Sequence, residues 1–223
     1  DGFQEDLPDY IAAKKEAPLK LNEEQDLAVN KIAESFNSKS FKVFLLHGIT
    51  GSGKTEVYLQ VIQKCLEHGK QAIVLVPEIS LTPQTVSRFK NRFERIAIMH
   101  SSLTELNRLS EWRKIQMGEV DIVVGARSAI FAPLTNIGVI IVDEEHDSSY
   151  KQDRTPRYNA RDLAIIRAKN SETAVILGSA TPSLDSWQNT KNGKYDLITL
   201  KKRAGSGLLP TFHIIDLKNE VIT

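Results

Sequence analysis

Val43-Phe44-Leu45-Leu46-His47-Gly48-Ile49-Thr50-Gly51-Ser52-Gly53-Lys54-Thr55 is the stretch from which the rest of the chain is read. A short apolar run leads into Gly48 through Thr55, which satisfies G-x-x-x-x-G-K-[ST]. Gly48, Gly51 and Gly53 let the backbone curl tightly, so that the successive N–H groups of the loop, Ile49, Thr50 and Ser52 included, point inward at phosphate oxygens. A helix beginning near Lys54 adds its positive dipole end. Lys54 then reaches the β- and γ-phosphates of a nucleotide, and the Thr55 hydroxyl takes a place on Mg²⁺. The alternative is a glycine-rich turn that carries these letters by chance. A strand before and a helix after the loop favour the phosphate reading.

Moving outward, apolar runs recur at 43–46, 72–76, 96–98, 121–124, 139–142 and 174–177. They are short, rich in β-branched residues, and none alternates apolar with polar, so they read as strands buried on both faces of a mainly parallel sheet. Helical patterns lie between them, near 54–68, 82–93, 104–117, 160–169 and 183–190, and Gly69 is placed to end the first with a left-handed residue. Upstream, Asn22 followed by Glu23, Glu24 and Gln25 has the pattern of an N-cap with acids in the first turn, opening a helix to about Phe36. Strand and helix in alternation predict a three-layer α/β domain with right-handed crossovers. Residues 1–20 are polar, carry Pro8 and Pro18, and read as a linker or lead-in segment. Residues 147–159 form a polar loop with basic and aromatic residues, longer than ordinary connections.

Composition sets the class. The 223 residues carry 29 Lys plus Arg against 28 Asp plus Glu, with 41% hydrophobic residues, which excludes a disordered tail, a collagen-like rod and a disulfide scaffold. A single cysteine, Cys65, cannot close an intramolecular disulfide or build a Cys-rich zinc site, and a reducing compartment is expected. It falls on an apolar helix face and reads as core. No apolar run approaches the ~20 residues that cross a bilayer, so no membrane association is expected. The chain opens on Asp1 with no initiator Met and reads as a piece of a longer protein. A net charge of +1 leaves nucleic-acid binding to local patches.

A phosphate loop needs an acidic partner at the end of a buried strand, and Val139-Ile140-Ile141-Val142 leads straight into Asp143-Glu144-Glu145-His146. Asp143 is placed to hold Mg²⁺ through water, and Glu144 to orient and deprotonate an attacking water. Glu145 is the third acid of this group, and a plain solvent-facing residue is the alternative for it. His47, His68, His100 and His213 show no metal-ligand spacing and read as surface or core residues.

The order of these elements carries a resemblance. Asp143-Glu144-Glu145-His146 followed by Gly178-Ser179-Ala180-Thr181-Pro182-Ser183 is similar to motifs II and III of superfamily 2 helicases. Pro77-Glu78-Ile79-Ser80-Leu81-Thr82-Pro83-Gln84 resembles motif Ia, and Val124-Gly125-Ala126-Arg127-Ser128-Ala129-Ile130-Phe131-Ala132-Pro133 resembles motif Ib. With Gly48 through Tyr58, their wording resembles the bacterial primosomal replication-restart DNA helicases over roughly residues 20–217. The resemblance implies a RecA-like first helicase lobe over 21–200, with 201–223 starting the connection to a second lobe. It implies ATP and Mg²⁺ as cofactors, translocation 3′ to 5′ on single-stranded DNA, work at forked DNA with primosome proteins and single-stranded-DNA-binding protein, and a bacterial cytoplasmic, nucleoid-associated location. Gln25 is placed to read adenine. His146, Ser179 and Thr181 are placed to couple hydrolysis to DNA movement, although Ser179–Thr181 also fits a plain strand-to-loop turn.

Ser80, Thr82, Gln84, Gly125, Arg127 and Ser128 offer donors suited to DNA phosphates. The alternative for Arg127 is a surface arginine pairing with Asp121 or Glu144. Tyr150, Lys151, Arg154, Arg157, Tyr158 and Arg161 combine rings that stack on bases with cations for phosphates. In the resembled family an aromatic-rich loop here links DNA binding to hydrolysis, whereas a solvated loop is the plain alternative. An arginine finger, a second lobe and a zinc module do not fit into this chain. Nucleotide binding is therefore expected to be weak and hydrolysis very slow in the 223 residues alone. A repair or restriction translocase of the same superfamily is the nearest competing function. A small-molecule kinase would need a lid and an acceptor pocket, which are not found.

Overall fold

The computed structural model describes residues 15–38 and 40–204. Phe212–Leu217, His213, residues 1–14 of the lead-in and 205–223 of the expected connection lie outside the described residues.

Seven strands form one sheet among the described residues: β1 (Lys42–Gly48), β2 (Gln71–Leu75), β3 (Ile96–Met99), β4 (Ile122–Gly125), β5 (Ile137–Val142), β8 (Ala174–Ser179) and β9 (Asp196–Leu200). Their order is β3-β4-β2-β5-β8-β1-β9, and every neighbouring pair is parallel. Parallel neighbours need crossovers, and helices α2 (Lys54–Glu67), α3 (Pro83–Lys90), α4 (Glu105–Gln116), α5 (Ala160–Asn170) and α6 (Leu184–Lys191) lie in connecting stretches, while α1 (Glu23–Ala33) precedes β1. The expected strands and helices are all present, with ends moved by a few residues.

Alternate residues of each strand face opposite layers, as the pleat requires. Phe44, Leu46, Val74, Val124, Ile141 and Ile176 pack with α1, α2 and Phe89 of α3. Val43, Leu45, Ile73, Leu75, Ile140 and Val175 pack with Ile115 of α4, with the 129–134 segment and with Ala160, Ala164 and Ala168 of α5. Two helical layers thus enclose the sheet, giving the RecA-like α/β architecture.

Two elements depart from the sequence expectation. Strand β9 carries no continuous apolar run, because Asp196-Leu197-Ile198-Thr199-Leu200 at the sheet edge buries only Ile198 and Leu200. The 147–159 loop contains a small antiparallel ladder, β6 (Lys151–Gln152) with β7 (Tyr158–Asn159). Residues 15–20 hold no helix or strand but are tied down. Glu16 N–H donates to Asn91 O at 3.0 Å, Leu19 N–H to Glu56 Oε1 at 3.2 Å, and Gln60 Nε2 to Leu19 O at 2.8 Å.

Candidate nucleotide and coupling site

The carboxyl ends of β1, β5 and β8 converge, because these strands are neighbours and parallel. Residues 48–53 turn off β1 with Gly51 at φ +79° and Gly53 at φ +82°. At Gly53 a side chain is excluded twice: by the backbone, and because a Cβ would lie 2.3 Å from Gln25 Nε2. Helix α2 begins at Lys54 directly after the loop, so its free N-terminal amides face the same space.

That space is a cleft of ≈ 490 Å³ whose lining includes Thr50–Glu56, Arg88, Arg92, Asp143 and Glu144. Lys54 Nζ donates to Gly48 O at 2.8 Å and stands 3.9 Å from Glu144 Oε1. The ammonium, the loop and the two acids expected to cooperate are therefore in one place, although they come from strands separated by long stretches of chain. Burial pushes the Asp143 carboxyl above its ordinary range, against the opposing hydrogen bond from Tyr58. Glu144 adopts a left-handed backbone, φ +43°, which few non-glycine residues do without a compensating role.

Hard oxygen donors suited to Mg²⁺, the Thr55 hydroxyl and the Asp143 carboxylate, line this one cleft. Among the described residues no group of three or more His, Cys, Asp or Glu could hold a metal alone. A site completed by nucleotide phosphates and water therefore fits better than an all-protein cage.

Gln25 is buried, at 3% exposure, so it is not a casual surface residue of a first helical turn. Its carboxamide has a partner at each end. Its Oε1 accepts from Asn22 N–H at 2.9 Å, completing the capping box of α1, and its Nε2 donates to Ser52 O at 2.8 Å. Gln25 thus braces the phosphate loop.

The stretch after Asp143 couples to β8. His146 Nδ1 lies 2.8 Å from Ser179 Oγ, and its Nε2 lies 3.4 Å from Thr181 Oγ1. Ser179 Oγ also accepts from Thr181 N–H at 2.9 Å. Glu145 overturns the solvent-facing alternative. Its side chain is fully enclosed, accepting from Ser183 N–H at 2.6 Å, Ser186 Oγ at 2.9 Å and Arg161 Nη1 at 3.2 Å. A carboxylate at that depth needs such partners.

Tyr150 is a second correction. It is 1% exposed, and its hydroxyl donates to Asp143 O at 2.5 Å and Leu75 O at 3.1 Å. A ring sealed under the sheet cannot stack on a base. Its polar tip instead holds the chain at Asp143, which keeps it in a coupling position. Tyr158 leans edge-on against Phe131, centroids 5.2 Å apart. Lys151 and Arg154 remain exposed, and Arg157 Nε donates to Asp153 O at 3.2 Å.

Arg127 pairs with neither Asp121, which binds Arg95 at 2.7 Å, nor Glu144. Its Nη1 donates to the carbonyls of Ser149 at 3.2 Å and Lys151 at 3.3 Å. The carbonyls on either side of Tyr150 are thereby held. Ser128, Thr82 and Gln84 are exposed and Ser80 is half-exposed, but the Thr82 hydroxyl caps α3. Gly125 is buried, and a Cβ there would lie 2.3 Å from Met99 O, so the lack of a side chain serves packing between β3 and β4.

The sequence reading missed Tyr58, whose hydroxyl donates to Asp143 Oδ1 at 2.9 Å. Its spacing of four from Lys54, which stacks two residues on one helix face, was the available signal. It also missed the ion pair of Arg92 with Glu56, 3.1 Å, on the cleft wall, for which no local pattern exists.

A family model for DEAD/DEAH box helicases matches residues 22–190. Over 93% of this chain, the sequence is 54% identical to the replication restart protein PriA of Bacillus subtilis and spans 26% of that protein. Against the protein of the same name from Haemophilus influenzae it is 51% identical over 99% of the chain and 30% of the relative. The chain thus spans about a quarter to a third of the length of these curated relatives. Among solved structures, RecG bound to a three-way DNA junction superposes with a TM-score of 0.63 and 25% identity, covering 86% of this chain and 25% of that one. The UvsW helicase of bacteriophage T4 superposes at 0.54 and 17% identity, covering 82% and 61%.

Proposed function

Because this chain belongs to the DEAD/DEAH box helicase family, we propose that it is the ATP-binding first motor lobe of a 3′-to-5′ DNA helicase that restarts stalled replication. The observation that carries this reading is the convergence of Lys54, Thr55, Asp143 and Glu144 on one cleft, with His146 against Ser179 beside it. The likeness to replication restart proteins supports the setting; forked DNA, primosome proteins and single-stranded-DNA-binding protein are the partners that this reading assigns.

In this reading the loop amides and Lys54 hold the β- and γ-phosphates of ATP, releasing the ammonium from Gly48 O. Thr55 and, through water, Asp143 would hold Mg²⁺, which would supply charge neutralisation across the phosphates. Glu144 orients the attacking water and takes its proton. His146 transmits the change at Glu144, 3.7 Å away, to Ser179 and Thr181. Arg127, Ser128, Lys151 and Arg154 form the face toward DNA. A second lobe brings the arginine that completes the site, so the 223 residues alone turn over ATP very slowly.

Unwinding of forked DNA by a polypeptide of the relatives' full length carrying this chain tests the proposal. Lys54→Ala is expected to lose unwinding and DNA-stimulated ATPase while retaining fork binding. Unwinding at the unaltered rate would remove the phosphate loop from the motor.

A further inference from the structure

Tyr58 lies one turn into α2 from Lys54 and is 1% exposed. Its hydroxyl donates to Asp143 Oδ1 at 2.9 Å. The room for that hydroxyl comes from a third element: a Cβ built at Gly178, in β8, would lie 1.6 Å from the Tyr58 oxygen. The phosphate-loop helix, the tip of β5 and the tip of β8 therefore meet at a single hydrogen bond. Tyr150 holds the main chain of the same aspartate through Asp143 O, at 2.5 Å. Side chain and backbone of Asp143 are gripped by two separate buried phenols.

The geometry has a chemical consequence. An aspartate at a strand tip can rotate about two side-chain bonds, and each free rotation costs binding energy when a ligand must fix it. A donor locked by core packing takes Oδ1 and leaves the second carboxylate oxygen as the atom that can turn to the cleft Asp143 lines. Tyr58 cannot swing away, because its ring sits in the core cluster with Val57, Val61 and Phe89. The bond joins an uncharged phenol to a carboxylate, the stronger kind of hydrogen bond.

We propose that Tyr58 is a positioning residue that presents Asp143 to a magnesium–nucleotide complex, and that Gly178 is glycine because the phenol occupies the place of its side chain. The inference rests on the nucleotide reading above and deepens it.

Binding of a fluorescent adenosine diphosphate, titrated with Mg²⁺ in a polypeptide of the relatives' length, tests it. Tyr58→Phe keeps the ring and removes only the hydroxyl. The expected result is a roughly tenfold rise in the Mg²⁺ concentration at half effect, the size expected for one hydrogen bond to a charged group. The effect should be confined to the metal-dependent part of nucleotide affinity. Gly178→Ala should shift the midpoint the same way, because it displaces the hydroxyl without altering Tyr58. A purely structural tyrosine would lower the thermal midpoint of Tyr58→Phe and leave the Mg²⁺ dependence unmoved. That outcome, or a lower Mg²⁺ requirement, overturns the proposal. The underlying reading fails separately: if Lys54→Ala binds the nucleotide as tightly as the unaltered protein, the cleft is not the phosphate site, whatever Tyr58→Phe does.

Discussion

Glu145 shows how much one residue's role depends on what surrounds it. In sequence it is the third acid in a row after a strand. In the structure it is the hub that ties the turn after β5 to the start of α6, through Ser183 and Ser186, and to α5 through Arg161. Removing one member of a buried ion pair typically costs about 3–5 kcal/mol. Arg161 retains a second partner, Asp162 at 3.0 Å, which puts Glu145→Ala near the lower end, about 3 kcal/mol. Urea unfolding should show the midpoint falling by ~1–2 M at unchanged slope. Glu145→Gln, which keeps one acceptor oxygen but turns the other into a donor facing the groups that donate to Glu145, should recover only part of the loss. Equal losses in the two variants would show that the charge, and not the hydrogen-bond geometry, holds the hub.

At the scale of elements, helices whose ends are written in the sequence formed as written. Asn22 caps α1 with a complete capping box, and Gly69 takes a left-handed conformation, φ +67°, just past α2. Irregular elements were illegible, because nothing periodic marks them. The 129–134 segment is fixed from outside by Arg167 of α5, whose guanidinium donates to the carbonyls of Ile130, of Ala132 at 2.7 Å and of Leu134 at 3.2 Å. One planar fork replaces the ladder that a strand would have supplied. Arg167→Ala should therefore cost about 2 kcal/mol or more, and Arg167→Lys should regain less than half. Thermal melting of the three proteins measures both. Should lysine restore full stability, charge alone rather than the fork secures the segment.

The whole molecule responds to alkali through its sealed core. Burial pushes the Cys65 thiol from 9.0 up to about 12. A raised folded value means that the unfolded chain releases this proton first. The stability is thus fully present below pH 9 and is lost as pH rises toward 12. The loss amounts to about 1.4 kcal/mol per pH unit across that window. Denaturant titrations at pH 8 and pH 10 should show it, and Cys65→Ala, though less stable throughout, should lose this component of the slope. Identical slopes with and without the thiol would place its ionisation elsewhere. The native thiol should likewise resist alkylation at pH 8.

The sequence by itself determined what is local in the chain: the phosphate loop with its glycines, the acids at the tip of β5, the helix caps and the doubly buried strands. In each case a few consecutive residues carry the whole physical requirement. Tertiary structure decided which distant groups meet. It paired Tyr58 with Asp143 across 85 positions, turned Tyr150 from a ligand for bases into a brace beneath the sheet, enclosed Glu145, and recruited β9 to the edge. Those outcomes follow from strand order and from competition for buried hydrogen-bond partners. Both are properties of the packed chain as a whole, and no window of residues contains them.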